Sequence, residues 1–152
     1  MSQTKQGQQQ HETTTSARVL LAEDEEHTRL TLSLILRKIG FLVTTVADGR
    51  EALKSISDLI DRQEPPALLV IDIQMPGLTG LDLMAELDKR GVFLPTVVIS
   101  GYQYRKVVEG CQAHTRVAYL EKPFSPEEFL ACLDSVVEKR PRKSLRVEGG
   151  KR

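Results

Sequence analysis

Residues 67–80 read ALLVIDIQMPGLTG, and the stretch places one acidic side chain at the end of an otherwise apolar strand. Ala67, Leu68, Leu69, Val70 and Ile71 form an uninterrupted apolar run, as expected of a strand covered on both faces. Asp72 ends the run. Met75, Pro76, Gly77 and Gly80 then supply turn chemistry, and a helical pattern starts at Leu81. A carboxylate is thereby expected on the rim where open α/β sheets hold their ligands.

Working toward the N-terminus, Pro65 and Pro66 close a linker. Before it, Arg50–Asp61 reads as a helix with Ala52, Leu53, Ile56 and Ile60 on its apolar face, and Phe41–Ala47 as a strand. A helix is expected over Glu26–Ile39, with Arg37 and Lys38 in its last turn and Gly40 as its stop. Leu32, Ile35, Leu36 and Ile39 form its sheet-facing stripe, while Leu30 and Leu34 project from roughly the other side, as in a helix buried more widely than usual or in one that uses them as a partner-docking surface beside the acidic site. The helix follows a short strand, Val19–Ala22, that ends in Glu23, Asp24, Glu25 and Glu26. Glu25 and Glu26 suit a solvated helix start, whereas Asp24, just past a buried strand, suits a ligand role.

Toward the C-terminus, Thr79 caps a helix running to Arg90 with Leu81, Leu83, Met84 and Leu87 inward. Phe93–Ile99 reads as a fourth strand that tolerates Pro95 and finishes at Ser100 and Gly101. A poorly patterned helix over Tyr102–Ala113, interrupted by Gly110, precedes a fifth strand, Val117–Leu120. Glu121, Lys122 and Pro123 follow it, and Ser125 and Pro126 open a last helix with Glu127 and Glu128 at its positive end.

Five alternating strand and helix pairs imply an α/β fold: a doubly wound, five-stranded parallel sheet with helices on both faces. The expected topology is flavodoxin-like, order 2-1-3-4-5, with its switch point between strands 1 and 3. That brings Glu23 and Asp24 beside Asp72. Clustered carboxylates need a cation or a proton, and magnesium, a hard ion that takes oxygen ligands, is the natural partner. Ser100, Tyr119 and Lys122 reach the same rim and add a hydroxyl donor, an aromatic able to change rotamer, and an ammonium.

The totals restrict the rest. At 152 residues the chain fits one domain. We divide it into a disordered Gln- and Thr-rich leader (1–17), a folded unit (18–140) and a basic flexible tail (141–152). The net charge of zero is uneven, because Lys139 to the end holds seven Lys or Arg against Glu148 alone, while Arg18–Glu138 holds thirteen basic and nineteen acidic residues. A solvated tail, rather than a nucleic-acid contact, is expected of it. Cys111 and Cys132 lack metal-ligand spacing and read as reduced core filler. No apolar run reaches membrane-spanning length and the first residues lack the pattern of a secretion signal, so a cytoplasmic protein is expected.

Through VLLAED, LLVIDIQMPGLTG, VVIS and YLEKPF, which occur in that order, the sequence resembles the response-regulator receiver family of two-component signalling over about Arg18–Glu138. The resemblance implies that Asp72 accepts a phosphoryl group from a histidine kinase or a histidine phosphotransfer protein. It implies Mg²⁺ held by Asp24, Asp72 and the main-chain carbonyl of Gln74, with Glu23 helping through water. Lys122 would pair with the phosphoryl group, and the Lys122–Pro123 bond would be cis. Ser100 and Tyr119 would form the switch that alters an output surface for an unidentified partner protein, with a phosphorylation-linked homodimer as a further form. The family's usual small turn before strand 5 is replaced here by His114, Thr115 and Arg116.

On this reading the chain is a stand-alone receiver, a phosphoacceptor rather than an enzyme acting on others. A degenerate receiver that works without phosphorylation is the alternative. A haloacid dehalogenase-like phosphohydrolase would want a second Asp two positions after Asp72, where Gln74 stands. A flavin-binding reading lacks a hydroxyl-rich phosphate loop after strand 1.

Overall fold

Five strands of five residues each form the sheet, and every one ends on the same rim. The computed structural model describes residues 17–101 and 117–137. In chain order these are β1 (Arg18–Ala22), α1 (Glu26–Lys38), β2 (Leu42–Val46), α2 (Gly49–Asp61), β3 (Leu68–Asp72), α3 (Gly80–Lys89), β4 (Thr96–Ser100), β5 (Val117–Glu121) and α4 (Pro126–Val136). The helix expected over 102–113, the turn at 114–116, Cys111, the leader to residue 16 and the tail lie outside the described residues.

The sheet order is β2-β1-β3-β4-β5 and every pairing is parallel, which is the expected flavodoxin-like topology. Alternation along β1 splits the core in two. Val19 and Leu21 pack with Leu32 and Leu36 of α1 and Phe129 and Leu133 of α4. Leu20 and Ala22 pack on the other face with Ala52 and Ile56 of α2 and Leu83 and Leu87 of α3. The central strand β3 is buried at all five positions, so its backbone has no access to water and its side chains are apolar up to Asp72.

Local chemistry sets the helix starts. The side chains of Glu25, Asp48, Thr79 and Ser125 each accept a backbone N–H of the first turn, and Thr79 with Asp82 and Ser125 with Glu128 complete capping boxes. Gly80 has a second task. A Cβ there would lie 2.5 Å from the carbonyl oxygen of Asp72, so only glycine lets α3 begin directly against the backbone of that residue. Gly49 makes a similar close approach, with a Cβ position 2.0 Å from the carbonyl oxygen of Leu78.

Some boundaries differ from expectation. β4 begins at Thr96, not Phe93, because Pro95 has no N–H to donate and the ladder starts after it; Phe93 is 47% exposed. Pro95 still contributes its carbonyl, which accepts from the N–H of Leu69 at 2.9 Å. Ala67 is exposed and precedes β3, whereas Asp72 closes the strand as expected. On α2 the buried stripe is Ala52, Ile56 and Leu59, with Leu53 and Ile60 half-buried at its margins, so the expected face was rotated by a fraction of a turn. The exposed pair on α1 is as expected: Leu30 is 54% and Leu34 65% accessible. Among the described residues no helix is long and apolar enough to cross a membrane.

Candidate functional site

Strand register explains which side chains meet. Ala22 pairs with Ile71, Asp72 with Ile99, and Ser100 with Glu121. One step further along each strand stand Glu23 and Lys122, so Glu23, Asp72, Ser100 and Lys122 arrive together from four separate segments.

Asp72 is only 2% exposed. Its Oδ1 accepts the N–H of Gln74 at 3.0 Å and its Oδ2 accepts from Lys122 Nζ at 3.1 Å. Lys122 Nζ also stands 3.7 Å from Glu23 Oε1, so one ammonium serves two buried carboxylates. Burial alone would lower the Lys122 pKa; the negative charges of Asp72 and Glu23 outweigh it and hold the group above its ordinary value.

Glu23 is fully buried at the end of β1. Its N–H donates to the carbonyl of Val46 at 3.1 Å, its Oε2 accepts the N–H of Glu25 at 3.1 Å, and its Oε1 has no hydrogen-bond partner among the described residues. Burial, and next the charge of Asp72, push its pKa up to about 7. Asp24, beside it, is exposed, and ligand oxygens of Glu23, Asp24 and Asp72 all lie within 4.8 Å of one another. Three hard oxygen donors in one cluster, one of them a buried oxygen with no hydrogen bond, fit a divalent cation such as Mg²⁺.

Ser100 is fully buried, and its hydroxyl has no hydrogen-bond partner among the described residues. A buried hydroxyl of this kind is costly unless a partner satisfies it. Its carbonyl accepts from the N–H of Lys122 at 3.0 Å and lies 3.1 Å from the Tyr119 hydroxyl. Tyr119 also contacts the carbonyl of Gly101, so its ring is anchored to the backbone just past β4. The Lys122–Pro123 bond is cis, as expected, and the following Phe124 stacks on Phe129 of α4 with ring centroids 6.2 Å apart.

Two contributors escaped the sequence reading. Gly80 is one, through its close approach to Asp72. Arg29 is the other: its Nη1 donates to the carbonyl of Glu23 at 2.9 Å. A cation just inside the positive end of α1 runs against the helix macrodipole, and that anomaly was the available signal. A cavity of about 320 Å³ also opens beside Lys122 and Pro123, walled by His27, Thr28 and Thr31 of α1 and by Phe124.

The model of the family described as "Response regulator receiver domain" matches residues 19–134. The chain belongs to this family. As a receiver domain it is a signalling module of two-component systems, a class that binds Mg²⁺ at an acidic pocket and works with histidine kinases or phosphotransfer proteins. The transcriptional regulatory protein PdtaR of Mycobacterium tuberculosis is 33% identical over 133 residues, covering 87% of this chain and 62% of that protein. Nodulation protein W of Bradyrhizobium diazoefficiens is 31% identical over 128 residues, covering 84% of this chain and 54% of that one. The chain thus spans between about half and two thirds of the length of these curated relatives. Among solved structures, the chemotaxis protein CheY4 of Vibrio cholerae is similar with a TM-score of 0.65 and 27% identity, covering 80% of this chain and 98% of that one. The receiver domain of the Francisella response regulator 1452 gives 0.68 and 26%, with 81% and 98% covered.

Proposed function

We propose that this receiver accepts a phosphoryl group on Asp72 from a histidine kinase or a histidine phosphotransfer protein, and that the modified domain switches a surface read by an output protein. The observation that carries this reading is the ion-paired, almost fully buried Asp72 at the end of β3, with a buried Ser100 hydroxyl that has no partner among the described residues at the end of the neighbouring β4. Residues 18–140 are taken as the unit that carries this chemistry.

In the proposed step a carboxylate oxygen of Asp72 attacks phosphorus, an acyl phosphate forms, and the bond from phosphorus to the donor nitrogen or oxygen breaks with its electron pair leaving on the donor. Asp24, Asp72 and the main-chain carbonyl of Gln74 would hold Mg²⁺, with Glu23 acting through water. Bound there, the ion supplies positive charge against the phosphoryl oxygens. Lys122 surrenders its contact with Asp72 Oδ2 and pairs with the new phosphoryl oxygens, to which its ammonium is a mobile point charge. Ser100 donates its buried hydroxyl to one of them. Since the Ser100 carbonyl also meets the Tyr119 hydroxyl, movement of Ser100 is passed to the aromatic ring and so to the surface around β5.

Intact mass after incubation with Mg²⁺ and a small acyl-phosphate donor tests the reading. Wild type is expected to gain the mass of one phosphoryl group and Asp72→Asn none. Equal gain in both would remove Asp72 as the acceptor.

A further inference from the structure

Between β1 and α1 the chain turns from a buried strand into a helix within three residues, Glu23, Asp24 and Glu25. The corner is held on both sides of Asp24. Ahead of it, the N–H of Glu23 is tied to Val46 and the carbonyl of Glu23 accepts from Arg29 Nη1 at 2.9 Å. Behind it, the N–H of Glu25 is tied to Glu23 Oε2, and the carbonyl of Glu25 accepts the main-chain N–H of Arg29 at 2.9 Å. Arg29 therefore grips this corner twice, once with its backbone and once with its half-buried side chain.

The carbonyl that the guanidinium holds is special in its geometry. It belongs to the Glu23–Asp24 peptide unit, a rigid plane that also contains the nitrogen and Cα of Asp24. Fixing that oxygen fixes the orientation of the plane from which the Asp24 side chain departs. Asp24 itself is exposed and no hydrogen bond ties its side chain among the described residues, so the plane before it sets the point from which that side chain reaches toward the cluster.

We propose that Arg29 is a positioning residue for the cation site: it aims the Asp24 carboxylate by holding the peptide plane before it, without touching the ion or the phosphoryl group. This rests on the reading that Asp24 is an Mg²⁺ ligand. Charge and positioning have opposite consequences here. A guanidinium near an acidic cluster repels a divalent cation, so if charge alone mattered its removal would tighten Mg²⁺ binding; loss of positioning weakens it.

Titration calorimetry of the full chain with MgCl₂ separates the two. Arg29→Met keeps the apolar stem and removes the donor, and it is expected to weaken Mg²⁺ binding by about 10-fold, the scale at which groups behind a metal ligand act. Arg29→Lys keeps a donor and is expected to fall between Arg29→Met and wild type. Affinity in Arg29→Met equal to or tighter than wild type overturns the positioning role while leaving the cation site standing. Binding by Asp24→Asn as tight as wild type, or no binding by wild type, instead removes the cation-site reading and the proposal with it. If circular dichroism shows Arg29→Met to be unfolded, Arg29→Gln is titrated in its place, with weaker binding expected and unchanged binding overturning the role.

Discussion

Lys122 Nζ stands 3.1 Å from Asp72 Oδ2 across 50 positions of sequence, and it is the cation that makes two neighbouring buried carboxylates tolerable. Removing it leaves Glu23 and Asp72 facing each other with no counter-charge. Lys122→Met is therefore expected to destabilise the metal-free protein by about 1–2 kcal/mol, less than a fully buried pair costs because Lys122 is partly exposed. Chemical denaturation in a chelator measures it. Adding Mg²⁺ should recover part of the loss, and an unchanged stability in the chelator would show that the ammonium does not balance the site.

Glu23 makes that metal-free stability depend on pH. Its folded pKa, about 7, lies above the ordinary 4.5, so the folded state holds the proton more tightly. The stabilisation is complete below about pH 4.5 and is lost as pH rises through about 7. Thermal denaturation without metal should show stability falling across this window by on the order of 2 kcal/mol from this group. Glu23→Gln should flatten the fall and be the more stable protein at pH 8. The same slope in both proteins would assign the effect to other groups.

Ser100 separates stability from signalling. Its buried hydroxyl has no partner among the described residues, so Ser100→Ala should leave unfolding within about 0.5 kcal/mol of wild type or raise it. The same change should lower the phosphorylated fraction reached with a small acyl-phosphate donor, read by intact mass. A large loss of stability would mean that the hydroxyl is already satisfied in the resting protein.

Leu30 and Leu34 are large apolar side chains in contact with solvent, on the same helix that supplies one wall of the cavity beside Lys122. Leu30→Gln with Leu34→Gln should change stability by no more than about 0.5 kcal/mol, as surface substitutions do. Transfer from the cognate histidine donor should slow, while phosphorylation by a small donor stays as it was. Unchanged transfer from the protein donor would remove this face from the docking surface.

Much of the molecule is legible before any coordinates. Uninterrupted apolar runs such as Leu68–Ile71 betray strands covered on both faces, and the acidic or polar residue that ends each run falls on the functional rim because parallel strands all point one way. Helix starts are equally local, since Thr79 and Ser125 carry their capping partners three residues on. What stayed hidden depends on contacts between distant segments. The start of β4 is decided by where Pro95 meets the β3 ladder, and the need for glycine at position 80 by the backbone of Asp72. Arg29 looks like one more helix cation until its guanidinium is seen on the carbonyl of Glu23.

The most direct test locates the phosphoryl group itself. Borohydride reduces an acyl phosphate on an aspartate to the corresponding alcohol, which peptide mass mapping assigns to a single position. After treatment with Mg²⁺ and an acyl-phosphate donor, the expected result is reduction at position 72 alone, abolished in Asp72→Asn. Reduction at Asp24 or Glu23 in the wild type, or none anywhere in a protein that has gained phosphoryl mass, would contradict it.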